Sequence, residues 1–128
     1  MCVHYINDKE YDCSVSITLD IFNDRWKMQI IWHLLEADKR FKDLHSDIPE
    51  ITQKTLTVKL KELEKKNIIH REVFPEVPPK VVYSLTPIGK KLQSVLTEMY
   101  QWGIDYVKAH GQTSADHPVC KGAVTKKQ

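Results

Sequence analysis

Between residues 40 and 83 the apolar period changes from that of a helix to that of a strand, and this change constrains the fold more than any other feature of the chain. Phe41, Leu44 and Ile48 recur at i, i+3 and i+7, one stripe of a short helix that leaves Lys42, Asp43, His45 and Asp47 to water. Pro49 has no amide hydrogen and pushes Ile48 away from helical angles, so the helix stops there and Pro49-Glu50-Ile51 forms a turn. Thr52 suits the N-cap of a second helix over about 52–66, whose apolar positions are Leu56, Leu60 and Leu63 and which Asn67 can close in a left-handed conformation. After Asn67, residues 68–74 and 81–85 are rich in β-branched and aromatic side chains, while the prolines between them suit a loop and exclude a central strand. Two helices across a turn, then a hairpin over about 68–85, are the plan of a winged helix-turn-helix: a mainly α fold with a small antiparallel β-hairpin.

That plan makes double-stranded DNA the first partner to test. With the three leucines facing the core, a rotation of about 100° per residue puts Lys54, Val58, Lys61 and Lys65 on the opposite side, with Gln53 and Thr57 on one flank. Gln pairs with adenine, Lys with guanine, and the methyls of Thr and Val touch the thymine methyl, so Gln53, Lys54, Thr57 and Val58, with Thr52 at the helix start, are assigned to the base-reading end. Lys61 lies farther along and is assigned to phosphate, as are Arg71 and Lys80 on the wing. Charge is distributed accordingly. Residues 52–71 hold six Lys or Arg against two Glu, a balance of +4, and residues 1–24 hold one Lys against five acids, a balance of −4. The overall +2 hides this asymmetry, which matches a basic footprint on a chain that is not basic as a whole.

A length of 128 residues with 41% hydrophobic content suffices for one domain with a core, expected over 13–110, between a flexible arm at 1–12 and a disordered tail at 111–128. No apolar run approaches the roughly 18 residues of a membrane span and no signal-like segment opens the chain, so a cytoplasmic protein is expected. Thiols there stay reduced, and Cys2, Cys13 and Cys120 are not expected to form a disulfide framework. Two supporting helices precede the helix-turn-helix. Ser14 or Ser16 can cap one carrying Ile17, Ile21 and Phe22, and Asp24 can cap another carrying Trp26, Ile30, Ile31, Leu34 and Leu35. Trp26 and Trp32 fit core packing better than ligand stacking. Thr86-Pro87 opens a last helix over about 86–108, where Ile88, Leu92, Val95, Met99, Trp102 and Tyr106 step by 4, 3, 4, 3 and 4, a stripe widened by Leu96, Gly103 and Val107. One small domain does not need that much apolar surface, and the surplus points to a homodimer, which suits a palindromic operator.

Catalysis has no visible site: the histidines His33, His45, His70 and His110 are scattered over different elements, and no phosphate loop, nucleophile elbow or zinc-protease motif is present. His117 and Cys120 form an H-x-x-C, but two ligands without a second pair do not make a metal site, and no cofactor is expected. The rival to a DNA reader is a winged helix used only for protein contacts. Such a module has no need of the basic face that Lys54, Thr57, Lys61 and Arg71 provide.

Trp26-Lys27, the segment from Arg40 to Leu44, the run Ile48-Pro49-Glu50-Ile51-Thr52-Gln53-Lys54, Leu60-Lys61-Glu62-Leu63-Glu64, and above all the wing Pro75-Glu76-Val77-Pro78-Pro79-Lys80-Val81-Val82-Tyr83-Ser84-Leu85-Thr86 with Gly89 resemble the HxlR-type transcriptional regulators, a branch close to the MarR family. The resemblance covers roughly residues 13–106. It implies a homodimeric, non-enzymatic regulator of promoters that dimerises through its N- and C-terminal helices, which places Ile17 and Ile21 beside Leu92, Val95, Met99, Trp102 and Tyr106 at the interface. In place of the family's glycines and lysine before the tryptophan stands Asn23-Asp24-Arg25, a run that still favours a turn. Cys13 occupies a position where some members sense oxidants or electrophiles. A helix N-terminus favours a thiolate there, while Asp8, Glu10 and Asp12 oppose ionisation. A small-molecule or oxidant inducer follows as an expectation of unspecified identity.

Overall fold

A computed structural model describes residues 3–111 of the chain, so His117 and Cys120 lie outside the described residues, as does Cys2. The elements in order are β1 (His4–Ile6), β2 (Lys9–Tyr11), α1 (Ser14–Ile21), α2 (Arg25–Glu36), β3 (Lys39–Arg40), α3 (Phe41–Asp47), α4 (Gln53–Lys65), β4 (Ile69–Phe74), β5 (Lys80–Leu85), α5 (Pro87–Lys90) and α6 (Leu92–His110).

The core is built from α2, α3, α4 and the first half of α6 with the inner face of a three-stranded sheet. Ile30, Ile31, Leu44, Leu56 and Leu63 are fully buried, and Ile48, Ile51, Leu60, Ile69 and Leu96 nearly so. Each helix boundary has a local cause. Asp24 caps α2 through Oδ1, which accepts from the amides of Trp26 (2.7 Å) and Lys27 (3.1 Å). Thr52 caps α4 by accepting from Thr55 N at 3.1 Å, and Asn67, at φ 62°, turns the chain out of it. Thr86 accepts from Gly89 N at 3.0 Å with Pro87 at the first helical position, as the sequence suggests.

Five expectations need correction. The first twelve residues are not a bare arm: Asn7 and Asp8, both at positive φ, form a two-residue turn, and β1 pairs antiparallel with β2 in the register His4 to Tyr11. This hairpin is tied to α1 because Lys9 Nζ and Tyr11 Oη both donate to Asp20 Oδ2, at 2.8 and 2.5 Å. The cap position of α1 belongs to Cys13 rather than Ser14 or Ser16, and the cysteine side chain makes no capping bond. The wing has a third strand, since β3 pairs with β5 (Lys39 to Tyr83, Arg40 to Val82) and gives the order β3-β5-β4; two residues are too few to show a period of two. His45 and Asp47 are half-buried rather than in water, His45 Nε2 lying 3.1 Å from Ile51 O and Asp47 Oδ2 2.9 Å from Lys39 Nζ. The C-terminal helix is interrupted at Lys91, so Ile88 sits on α5 and the heptad stripe on α6 begins at Leu92.

Candidate nucleic-acid interface

Helix α4 divides by face. Leu56, Leu60 and Leu63 are 0–1% exposed, while Thr52, Gln53, Lys54, Thr57, Val58 and Lys61 are all exposed. The Thr52 hydroxyl is held within its cap, donating to Thr55 Oγ1 at 3.0 Å, and Thr57 Oγ1 donates to Gln53 O at 2.9 Å. Both hydroxyls therefore support the first turn of the helix, and the outward polar groups of that turn are Gln53 and Lys54.

The wing approaches one flank of α4. Arg71, on β4, pairs in register with Tyr83 of β5, and the groove between helix and wing, about 370 Å³, is lined by Thr57, Lys61, Glu64, Arg71 and Tyr83 with Leu60 beneath. The structure thus brings Lys61 and Arg71 to one groove. Lys80 stands apart, at the start of β5 with its Nζ 5.1 Å from the centre of the Phe74 ring. Val77, at the wing tip, is fully exposed; the prolines around it marked a loop but nothing in the sequence singled it out.

The other flank of α4 carries charges that the balance of +4 counted and that are paired within the protein. Lys59 Nζ lies 2.5 Å from Asp24 Oδ2, and Lys27 Nζ lies 2.9 Å from Glu62 Oε1. Burial opposes the charge on Asp24, but Lys59 and the amides of Lys27 and Trp26 outweigh it and hold the carboxyl below the usual range. The hydrogen bond from Lys27 likewise lowers Glu62, and that with Asp24 raises Lys59. These pairs join residues more than thirty positions apart, so no local spacing could have announced them. At the C-terminal end, Lys65 and Lys66 border a cleft of about 950 Å³ between the β1–β2 hairpin, α1, α4 and α6.

That cleft gathers four residues expected at a dimer interface: Ile17 and Ile21 of α1 with Leu92 and Val95 of α6. Met99, Trp102 and Tyr106 are exposed farther along α6, the last two with ring centres 5.1 Å apart. Val15 and Leu19 of α1 are more exposed than Ile17 and Ile21 and were missed because only the inward pair followed the core stripe. Cys13 is exposed where β2 hands over to α1, with extended backbone (φ −159°, ψ 137°).

The model of the HxlR-like helix-turn-helix family matches residues 21–111. Among similar proteins, the uncharacterized HTH-type transcriptional regulator YdeP of Bacillus subtilis is 44% identical over 104 residues, 81% of each chain. Among solved structures, the redox regulator HypR in its oxidized form superposes with a TM-score of 0.68 at 43% identity, covering 73% of this chain and 96% of that one. The reduced form of the regulator YodB from B. subtilis gives 0.69 at 39% identity, covering 77% and 98%; YodB has also been solved diamide-treated and quinone-bound. With the family match running from the end of α1 through α6, and with a relative 44% identical over 81% of the chain, this chain belongs to the HxlR-like helix-turn-helix family, whose relatives are HTH-type transcriptional regulators.

Proposed function

We propose that this chain binds double-stranded promoter DNA as a homodimer on a palindromic operator, with no enzymatic role, and that its place is the cytoplasm. The observation that carries this reading is the division of α4: buried leucines on one side, and on the other an exposed face of Gln53, Lys54, Val58 and Lys61 joined across a groove by Arg71. Gln53, Lys54, Thr57 and Val58 read base edges near the helix start that Thr52 caps, while Lys61, Arg71 and Lys80 hold phosphates. Two copies joined through α1 and α6 present two such helices to successive turns of the duplex. No helix among the described residues is long and apolar enough to cross a membrane.

A second element is redox response through Cys13. Its support is the exposure of the thiol at the start of α1, the helix proposed for the interface, and the similarity to the redox regulator HypR. Diamide tests it by accepting two electrons and two protons from the Cys13 thiol and a second thiol, that of the other copy in the dimer or of a small-molecule thiol, to become the corresponding hydrazine, leaving a disulfide between the two sulfurs.

One experiment addresses both. Fragments are selected from genomic DNA with the purified protein, and binding to them is titrated against salt, with and without diamide. Affinity is expected to fall steeply with ionic strength and to drop by at least tenfold in the Lys54→Ala plus Lys61→Ala variant, the order of two lost charged contacts. Absence of DNA binding at low salt, or binding indifferent to the double substitution, would leave a protein-contact module instead. If Cys13→Ser responds to diamide as the parent does, the thiol is not the sensor.

A further inference from the structure

We propose that the first turn of α2 is a clamp that sets the rotation of the recognition helix about its own axis, with Lys27 and Asp24 as positioning residues acting through Glu62 and Lys59. The inference rests on the reading of α4 as the helix that enters DNA, and adds residues that touch no DNA.

The core side of α4 leaves a question of orientation. Leu56, Leu60 and Leu63 form a narrow stripe, and apolar contact is not directional, so a leucine seam alone permits small rolls of the helix at little cost. Base reading permits none, because the hydrogen bonds of Gln53 and Lys54 to base edges depend on where their side chains emerge. The ion pairs meet that need. Lys27 is the one buried charged residue among the described residues, at 7% exposure, and its ammonium meets Glu62 at 2.9 Å. A methionine of similar length fills such a site without desolvating a charge, so packing does not account for a lysine there; direction does.

The second tie runs through one carboxylate. Asp24 uses Oδ1 to start α2 and Oδ2 to hold Lys59, so the beginning of α2 is fastened to the middle of α4. Lys59 also lies 3.9 Å from Glu62, and the four groups alternate in charge: Asp24, Lys59, Glu62, Lys27. A weaker exposed pair, Arg25 with Glu50 at 3.5 Å, reaches the turn that enters α4. Lys59 and Glu62 are one turn apart on the flank of α4 opposite the wing groove, so the helix is gripped on the side that leaves its DNA face free.

The test compares the selected operator with an unrelated duplex of the same length, using the full chain. Lys27→Met and Glu62→Gln each remove one charge; the second lies at a half-exposed position and keeps the fold if the first does not. Both are expected to lower operator affinity about tenfold, the order of one lost base contact, while affinity for the unrelated duplex and the salt slope stay unchanged. Combined, they should cost no more than either alone, since both break the same pair. Lys27→Arg, which retains the pair, should retain discrimination. A merely structural role would instead lower Tm and weaken both duplexes alike, and that result overturns the clamp. So does full discrimination in folded Lys27→Met and Glu62→Gln proteins. If the parent itself prefers no duplex, the DNA reading fails first and takes the clamp with it.

Discussion

His33 shows how a single side chain responds to where the fold puts it. On the sequence it is one of several scattered histidines; in the structure it is mostly buried on α2, its Nδ1 3.9 Å from Glu36 and 3.8 Å from Asp47, with Lys39 bound to the same two carboxylates. Burial is the largest influence and lowers its pKa from the ordinary 6.5, outweighing the opposite pull of Asp47 and Glu36. A histidine depressed in the folded state favours the neutral ring, so its contribution to stability is intact above 6.5 and is lost as pH falls from there through the folded value. Tm should therefore decline between neutrality and the carboxylate range, before the lowered Asp20, Asp24 and Glu62 begin to protonate. His33→Gln should flatten that first segment of the profile, as followed by calorimetry across pH; a parallel profile would refute the assignment.

At the scale of elements, the junction between wing and α5 depends on one missing side chain. A Cβ on Gly89 would lie 2.2 Å from the carbonyl oxygen of Ile68, a backbone atom that cannot swing aside. The same oxygen accepts from Thr86 N and Thr86 Oγ1, both at 3.0 Å, so the approach is held by hydrogen bonds and cannot relax without losing them. Gly89→Ala should cost about 1–3 kcal/mol, the range for overpacking a close-fitted site, readable as a shift in the denaturant midpoint with the slope unchanged. Wild-type stability in that variant would mean that α5 moves freely. The elements bordering this junction were largely legible: Thr52, Asn67 and Thr86-Pro87 mark ends in the sequence because capping is local chemistry. The β1–β2 hairpin was not, because its turn is Asn7-Asp8 rather than a glycine turn and its anchor, Asp20, lies on another element.

At the scale of the whole molecule, α6 divides along its length. Leu92, Leu96 and Tyr100 face the domain, Tyr100 against Trp32 with ring centres 5.5 Å apart, while Met99, Trp102 and Tyr106 are exposed. The heptad arithmetic joined Leu92 to Trp102 in one stripe; in the fold the first half of the helix packs on the core, and the second half leaves its rings exposed. Trp102→Glu, which puts a charge among these rings, should convert a dimer into a species of 15.0 kDa by light scattering at micromolar concentration and abolish tight operator binding with it. A variant that stays dimeric would move the interface elsewhere, with Val15 and Leu19 of α1 the next surface to test.

By itself the sequence determined the helix-turn-helix, the wing hairpin and the outward face of α4, because periodicity, caps and proline placement act within a few residues and report directly on local structure. Tertiary structure alone decided which charges of α4 are tied within the protein and which stay exposed. Lys54, Lys59 and Lys61 look equivalent in a charge count, yet Lys59 is taken by Asp24 and Lys61 shares a groove with Arg71. The physical reason is that ion pairing depends on distance through space, and residues 24–27 and 59–62 meet only once α2 has packed beside α4.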